Sequence, residues 1–212
     1  MLSLLIPPPL VSAEEFGDVD EAPLFAQEAA VVARAVDSRR REFATGRLCA
    51  RRALGRLGLP PGPIPTGVRG APVWPDGVVG SLTHCEGYRA AVLGLSRDVL
   101  AIGVDAEPDG PLPDGVLAAI ARDEEAAMVR ELAASAPGPS WDRLLFSAKE
   151  AVYKAWFPLT RRRLDFDQAS IAFDPRGGFT ARLLVPAPLP EFSGRWLAAR
   201  GLVVTAVTVP VR

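Results

Sequence analysis

The chain has 212 residues, enough for one large domain or two small packed halves at roughly 150 residues per domain, with ample length for a buried core. At 49% apolar and 23% charged, with a mean hydropathy of +0.16, the composition is globular rather than disordered. The 24 basic residues nearly balance the 25 acidic ones, leaving a net charge of −1, which argues against a general nucleic-acid binder.

In chain order, the first residues, MLSLLIPPPLVSA, carry no basic residue before their apolar stretch, and Pro7, Pro8 and Pro9 break it, so this segment is not read as a signal peptide. Residues 1–22 are expected to be irregular. A helical pattern runs from Pro23 to about Val36. A second helix starts at Asp37 or Ser38 and runs to about Leu57, with Phe43, Ala50, Leu54 and Leu57 at helical spacing. Gly58 ends it, and Pro60, Pro61, Pro63 and Pro65 make a rigid connector. The period then changes to two, giving strands near 78–82, 89–95 and 100–105. The Pro/Gly-rich stretch 108–115 reads as the seam between two halves. Asp114 is expected to cap a helix through about Ala134, and 141–157 reads as a helix stopped by Pro158. Strands follow near 170–173, 179–185, 195–199 and 202–209, and the class is α+β. No apolar run reaches the ~18 residues of a membrane span. Cys49 and Cys85 fit reduced thiols in a cytoplasmic protein.

Four constellations carry chemistry. In Ile102–Gly103–Val104–Asp105–Ala106–Glu107, the i, i+2 spacing on a strand puts Asp105 and Glu107 on one face, a natural seat for a hard Mg²⁺ ion. The plain alternative is a strand end whose acids face solvent. In FSAKEAVYKAW, Ala148, Val152 and Ala155 form the buried stripe, and Glu150 and Lys154 lie four apart on another face. Such a pair is ordinarily a surface contact. Here it also has to explain why Lys149 and Lys154 are the chain's only lysines beside 22 arginines, and a third carboxylate with two phosphate-neutralising lysines explains that better. In Gly80–Ser81–Leu82–Thr83–His84–Cys85, the hydroxyls of Ser81 and Thr83 and the one imidazole can donate to an anion, although a lone histidine is more often structural. Finally, Arg39, Arg40, Arg41, Arg47, Arg51 and Arg52 form a basic face on which Arg40, Arg47 and Arg51 can hold a phosphomonoester; a solvated face is the alternative.

The blocks GSLTHC, IGVDAE and FSAKEAVYKAW, in this order, resemble the three signature motifs of 4′-phosphopantetheinyl transferases, nearest the Sfp-type, enterobactin-synthetase component D-like branch. EFATGRLCARRAL and RGAPVWPDGVVGSLTHC resemble the first half of that branch, and the resemblance covers roughly residues 34–160. It implies two similar halves about a pseudo-twofold axis, 1–108 with the arginine helix and 109–212 with the FSAKEAVYK helix, in a monomer that binds coenzyme A in the cleft between them. By the resemblance, Asp105, Glu107 and Glu150 are Mg²⁺ ligands (with Mn²⁺ as a substitute) and Glu150 is also the general base. Lys154 contacts the pyrophosphate and protonates the leaving group, and Lys149 neutralises phosphate. His84, Arg39, Arg47 and Arg69, with Ser81 and Thr83, grip the nucleotide and its 3′-phosphate; near relatives carry lysine at the position of Arg69. The implied reaction moves 4′-phosphopantetheine from coenzyme A to a serine of apo acyl or peptidyl carrier proteins, or carrier domains of synthases. Two rivals are another Mg²⁺-dependent phosphotransferase or pyrophosphohydrolase acting on a nucleotide, and a non-catalytic carrier-protein or nucleotide-binding module.

Overall fold

The computed structural model describes residues 1–135 and 138–211. Two antiparallel sheets and five α-helices make an α+β fold among the described residues. The first sheet has the order β1-β3-β2, formed by β1 (Val11–Phe16), β2 (Val78–Cys85) and β3 (Tyr88–Leu95). The second contains β4 (Val99–Pro108), β5 (Ala169–Asp174), β6 (Gly178–Leu183), β7 (Glu191–Ala199) and β8 (Leu202–Pro210) in the order β4-β8-β7-β6-β5. The helices are α1 (Ala26–Val31), α2 (Asp37–Arg56), α3 (Val116–Ile120), α4 (Asp123–Ser135) and α5 (Trp141–Thr160).

Alternation along the strands sorts side chains into three cores. Ala91 and Leu93 of β3 face α2 and pack on Cys49, Ala50, Ala53 and Leu54. The intervening Ala90 and Val92 face the other way and meet Ile102, Val104 and Ala106 of β4 and Val204 and Ala206 of β8, so the two sheets stack face to face. The remaining positions of β4 and β8, Ala101, Val203, Val207 and Val209, pack under Ala148, Ala151, Val152, Ala155 and Trp156 of α5. A strand buried on both faces reads as an unbroken apolar run, which is why AIGV shows no polar alternation.

Where β2 and β4 meet, no backbone ladder joins them. Instead the Ser81 hydroxyl accepts from the Val104 N–H (3.1 Å) and the Thr83 hydroxyl accepts from the Ala106 N–H (2.9 Å). Side chains from one edge thus satisfy backbone donors on the other.

Several expectations need correction. Residues 1–22 are not irregular throughout, because β1 pairs with β3 from Val11↔Leu93 to Phe16↔Tyr88. The helix expected from Pro23 to Val36 is only the short α1. Asp114 caps nothing: Gly115 is the N-cap of α3, and the expected single helix breaks at an extended Ala121. The break follows from Glu125, whose side chain turns back to accept the Arg122 N–H (2.8 Å), starting a new helix. Pro158 does not stop α5, which runs on to Thr160 and closes with a left-handed Arg161. The missing N–H falls in the last turn, so little helix bonding is forfeited. Among the described residues, no helix is long and apolar enough to cross a membrane.

Candidate functional site

The site starts from a residue with no side chain. A Cβ on Gly103 would meet the backbone of α5, falling inside the Ala151 carbonyl oxygen and 2.7 Å from the Ala155 nitrogen, so glycine alone lets α5 lie directly on β4. That close approach brings the IGVDAE and FSAKEAVYK segments together. The Lys154 ammonium donates to Asp105 Oδ1 (2.7 Å) and to the Val104 carbonyl (3.0 Å). The Thr83 hydroxyl also reaches Asp105 Oδ1 (3.4 Å), while Asp105 Oδ2 is buried with no hydrogen-bond partner. Two residues on, Glu107 also faces α5, where Arg143 donates to its Oε2 (3.2 Å). Burial, and then the charge of Asp105, raise the Glu107 carboxyl above its ordinary range, against the pull of Arg143. Glu150, one turn before Lys154, is also raised by burial; Lys154 opposes this and Asp105 adds to it. Glu150 opens onto a cavity of about 280 Å³ shared with Arg69, Tyr153, Arg163 and Phe166, so Arg69 and Glu150 line one space.

A second group lies at the start of α2 and the end of β2. Arg39 and Glu42 form an ion pair, Glu42 lies 3.2 Å from His84 Nδ1, and an Arg39 guanidinium nitrogen lies 3.3 Å from His84 Nε2. Partial desolvation, and after it the charges of Arg39, Lys154, Arg89 and Arg47, push the imidazole down to about 4. Held below its ordinary value, the ring favours the neutral form in the free protein.

Other expected site residues are held elsewhere. Lys149 is only 3% exposed, and its three donors go to the Glu125 carboxylate (2.7 Å) and the carbonyls of Phe166 (2.6 Å) and Ala169 (3.0 Å). These contacts tie α5 to α4 and to the start of β5, and Lys149 also lines the cavity shared by Glu150 and Arg69. Replacing Lys149 by Met should cost about 3–5 kcal/mol of stability, because Glu125 is left buried and unpaired. A denaturant midpoint checks this; unchanged stability with weakened phosphate binding would give Lys149 the expected phosphate role instead.

Arg47, 5% exposed, donates to the Ile64 carbonyl (2.8 Å) and the Thr66 hydroxyl (3.1 Å) and stacks on Phe43, so it secures the proline connector. Burial lowers its guanidinium to about 10, which leaves it charged. Arg51 is turned inward to a buried Glu28, whose other contacts include the Ile64 N–H (2.9 Å), so the expected face of Arg40, Arg47 and Arg51 does not assemble. Ser81 and Thr83 are buried at the β2–β4 junction, with their hydroxyls engaged there rather than presented to an anion.

The sequence reading passed over Glu42, Glu125, Arg143 and the role of Gly103. The i, i+3 spacing of Arg39 and Glu42 is a signal for the first; nothing local points to the partners that Glu125 and Arg143 find across the fold.

The donor set suits a hard cation, since Asp105, Glu107 and Glu150 supply carboxylate oxygens and Asp105 Oδ2 is a buried acceptor without a donor. Among the described residues, no three His, Cys, Asp or Glu side chains already stand grouped for a metal ion. Asp105 is paired with Lys154, and Glu107 with Arg143. An ion at this place would compete with those two cations for the same oxygens.

Two family descriptions match the chain. Residues 27–94 match the 4′-phosphopantetheinyl transferase N-terminal domain, and residues 101–207 match the 4′-phosphopantetheinyl transferase superfamily. The chain is 57% identical over 219 residues to 4′-phosphopantetheinyl transferase Svp of Streptomyces mobaraensis, covering 99% of this chain and 89% of the relative. It is 48% identical over 212 residues to 4′-phosphopantetheinyl transferase PptT of Mycobacterium tuberculosis, covering 94% and 92%. It is 43% identical over 222 residues to 4′-phosphopantetheinyl transferase Npt of Nocardia iowensis, covering 98% and 99%.

Proposed function

Because the chain belongs to the 4′-phosphopantetheinyl transferase superfamily, we propose that the cleft bounded by α2, the end of β2, β4 and α5 takes coenzyme A and delivers its phosphopantetheine to a carrier-protein serine. The chain is a transferase of the 4′-phosphopantetheine group, with coenzyme A as donor, an apo carrier protein as acceptor and 3′,5′-ADP as the other product. The observation that carries the assignment of the site is the seating of α5 on Gly103, which sets Glu150 and Lys154 against Asp105.

In this reading Glu150 accepts the proton of the attacking serine. Burial helps, because a carboxylate that protonates more readily than an exposed glutamate is a better base near neutrality. Lys154 stands within 2.7 Å of Asp105 and supplies positive charge, and a proton, to the departing pyrophosphate oxygen. Asp105, Glu107 and Glu150 are the residues that would hold Mg²⁺, or Mn²⁺ in its place, and the ion would neutralise charge on the pyrophosphate oxygens. Arg143, which donates to Glu107 Oε2, would have to share that carboxylate with the ion. Arg39 and His84 face the 3′-phosphate, and Arg69 reaches the nucleotide from across the cavity. Arg47 contributes by fixing the 64–66 connector that leads to Arg69.

Both walls of the cleft come from one chain, so a monomer is sufficient; we place it in the cytoplasm, acting on acyl or peptidyl carrier proteins or carrier domains of synthases. Following coenzyme A with and without an apo carrier tests the assignment. A transferase consumes it only when the carrier is present, and a pyrophosphohydrolase consumes it regardless.

His84→Ala should weaken coenzyme A binding by about 10- to 150-fold, the value of one charge-assisted hydrogen bond at ~1.5–3 kcal/mol. Dephospho-coenzyme A, which lacks the 3′-phosphate, should lose almost nothing. Equal losses with the two ligands would remove His84 from the phosphate.

A further inference from the structure

The Arg39–Glu42–His84 group holds a carboxylate in the midst of the side chains assigned to an anion. Its geometry fixes which proton sits where. A guanidinium only donates and an ionised carboxylate only accepts. With Arg39, which can only donate, 3.3 Å from Nε2, the neutral ring accepts at Nε2 and carries its proton on Nδ1, the atom that lies 3.2 Å from the Glu42 carboxylate. Exposure says which of the three lies behind the others. The side chains of Arg39 and His84 are 48% and 47% exposed, and that of Glu42 only 21%. Glu42 is thus placed as a support beneath the two cleft-facing groups rather than as an occupant of the space in front of them.

We propose that Glu42 is the positioning residue of the phosphate-binding corner. It holds the His84 ring by Nδ1 and the Arg39 guanidinium from behind, and it stabilises the imidazolium that forms when a phosphomonoester dianion arrives at Nε2. The proton comes from solvent and goes to Nε2. His84 then stops accepting from Arg39 and donates to phosphate, with Glu42 still on Nδ1. Without that carboxylate, ring protonation would be opposed by the positive charges of Arg39 and Arg47 on α2, Arg89 on β3 and Lys154 on α5. Glu42 supplies the negative charge on the protein side and the phosphate supplies it on the ligand side. A carboxylate–imidazole–anion relay of this kind selects a dianionic phosphomonoester over a ligand lacking one. The inference rests on the reading that this cleft takes coenzyme A, and deepens it by naming what makes the 3′-phosphate recognisable.

His84 is the only histidine in the chain, so its two ring nitrogens can be read directly by long-range ¹H–¹⁵N NMR. In the free wild-type protein at neutral pH the ring should be neutral with the proton on Nδ1; saturating 3′,5′-ADP should protonate both nitrogens. Glu42→Gln keeps an acceptor for Nδ1 but removes the charge, so the ring should stay neutral with 3′,5′-ADP. Coenzyme A should then bind roughly tenfold more weakly, the equivalent of about one pKa unit lost by the imidazolium. Affinity for dephospho-coenzyme A should be unchanged, and Glu42→Asp should restore part of the discrimination. Tighter coenzyme A binding by Glu42→Gln, or a proton on Nε2 in the free wild type, would overturn the proposal. If the wild type itself binds coenzyme A and dephospho-coenzyme A equally, the assignment of the cleft fails, not merely the role of Glu42.

Discussion

Glu150→Gln is expected to lower turnover by ~10²–10⁴-fold, the usual cost of a lost general base. Glutamine keeps the size of the side chain and one oxygen for a metal but cannot take a proton at neutral pH. Metal and coenzyme A affinities should therefore fall moderately while the chemical step falls steeply. The environment sharpens the contrast, since burial raises the Glu150 carboxyl and Lys154, one turn away, keeps it from being raised further. Asp105→Asn should behave differently. It alters the partner of Lys154 and the buried Oδ2, so its defect should appear largely as a raised Mg²⁺ requirement. Titrating Mg²⁺ at saturating coenzyme A and apo carrier separates the two. If excess Mg²⁺ fully rescues Glu150→Gln, Glu150 is a ligand only and another group takes the proton.

Gly103→Ala should be nearly as damaging, although residue 103 contacts no substrate in this account. A methyl group there has to displace backbone, not a pliable side chain, because its neighbours are the Ala151 carbonyl and the Ala155 nitrogen. Helix α5 must lift from β4, at a cost of about 1–3 kcal/mol or more for an overpacked core. It would carry Glu150 and Lys154 away from Asp105. A shift of about 1 Å in reacting groups costs on the order of 10²-fold in rate. A control is Gly110→Ala, where an added Cβ would meet nothing within 4 Å, so stability and turnover should both stay near wild type. Thermal unfolding beside turnover checks the pair. Wild-type turnover in Gly103→Ala would mean that the contact between β4 and α5 does not position the site.

How much of this was legible in the sequence differs by level. The α2 helix, the strands from β2 onward and α5 announce themselves through periodicity, and the α+β class follows from them. Strand β1 does not, because VSAEEF carries adjacent acids whose place is decided by β3: Glu14 is held by the Tyr88 hydroxyl. The break between α3 and α4 is invisible for a similar reason, since Glu125 looks like one more surface acid until Lys149 and the Ile171 N–H (2.7 Å) are brought to it.

The same limit applies to the site. Asp105, Glu107, Glu150, Lys154 and His84 could be picked out by type and spacing, and the structure sets Lys154 on Asp105 and Arg143 on Glu107. Lys149, Arg47, Arg51, Ser81 and Thr83 have the right chemistry but are engaged within the fold, and only burial and partners distinguish a phosphate-binding cation from a structural one. Composition pointed to the two lysines together; the structure separates them, Lys154 at Asp105 and Lys149 at Glu125. Gly103 was visible as a letter in IGVDAE, but its reason lies in a helix almost fifty residues away.

The most direct test is the intact mass of an apo carrier protein after incubation with coenzyme A, Mg²⁺ and this protein. A gain of about 340 Da, the phosphopantetheine group's own mass, is expected on the carrier's acceptor serine. The gain should appear with the wild type, vanish when that serine is replaced by alanine, and be reduced to a trace with Glu150→Gln over the same time. Loss of coenzyme A with no mass gained by a panel of apo carriers would contradict it.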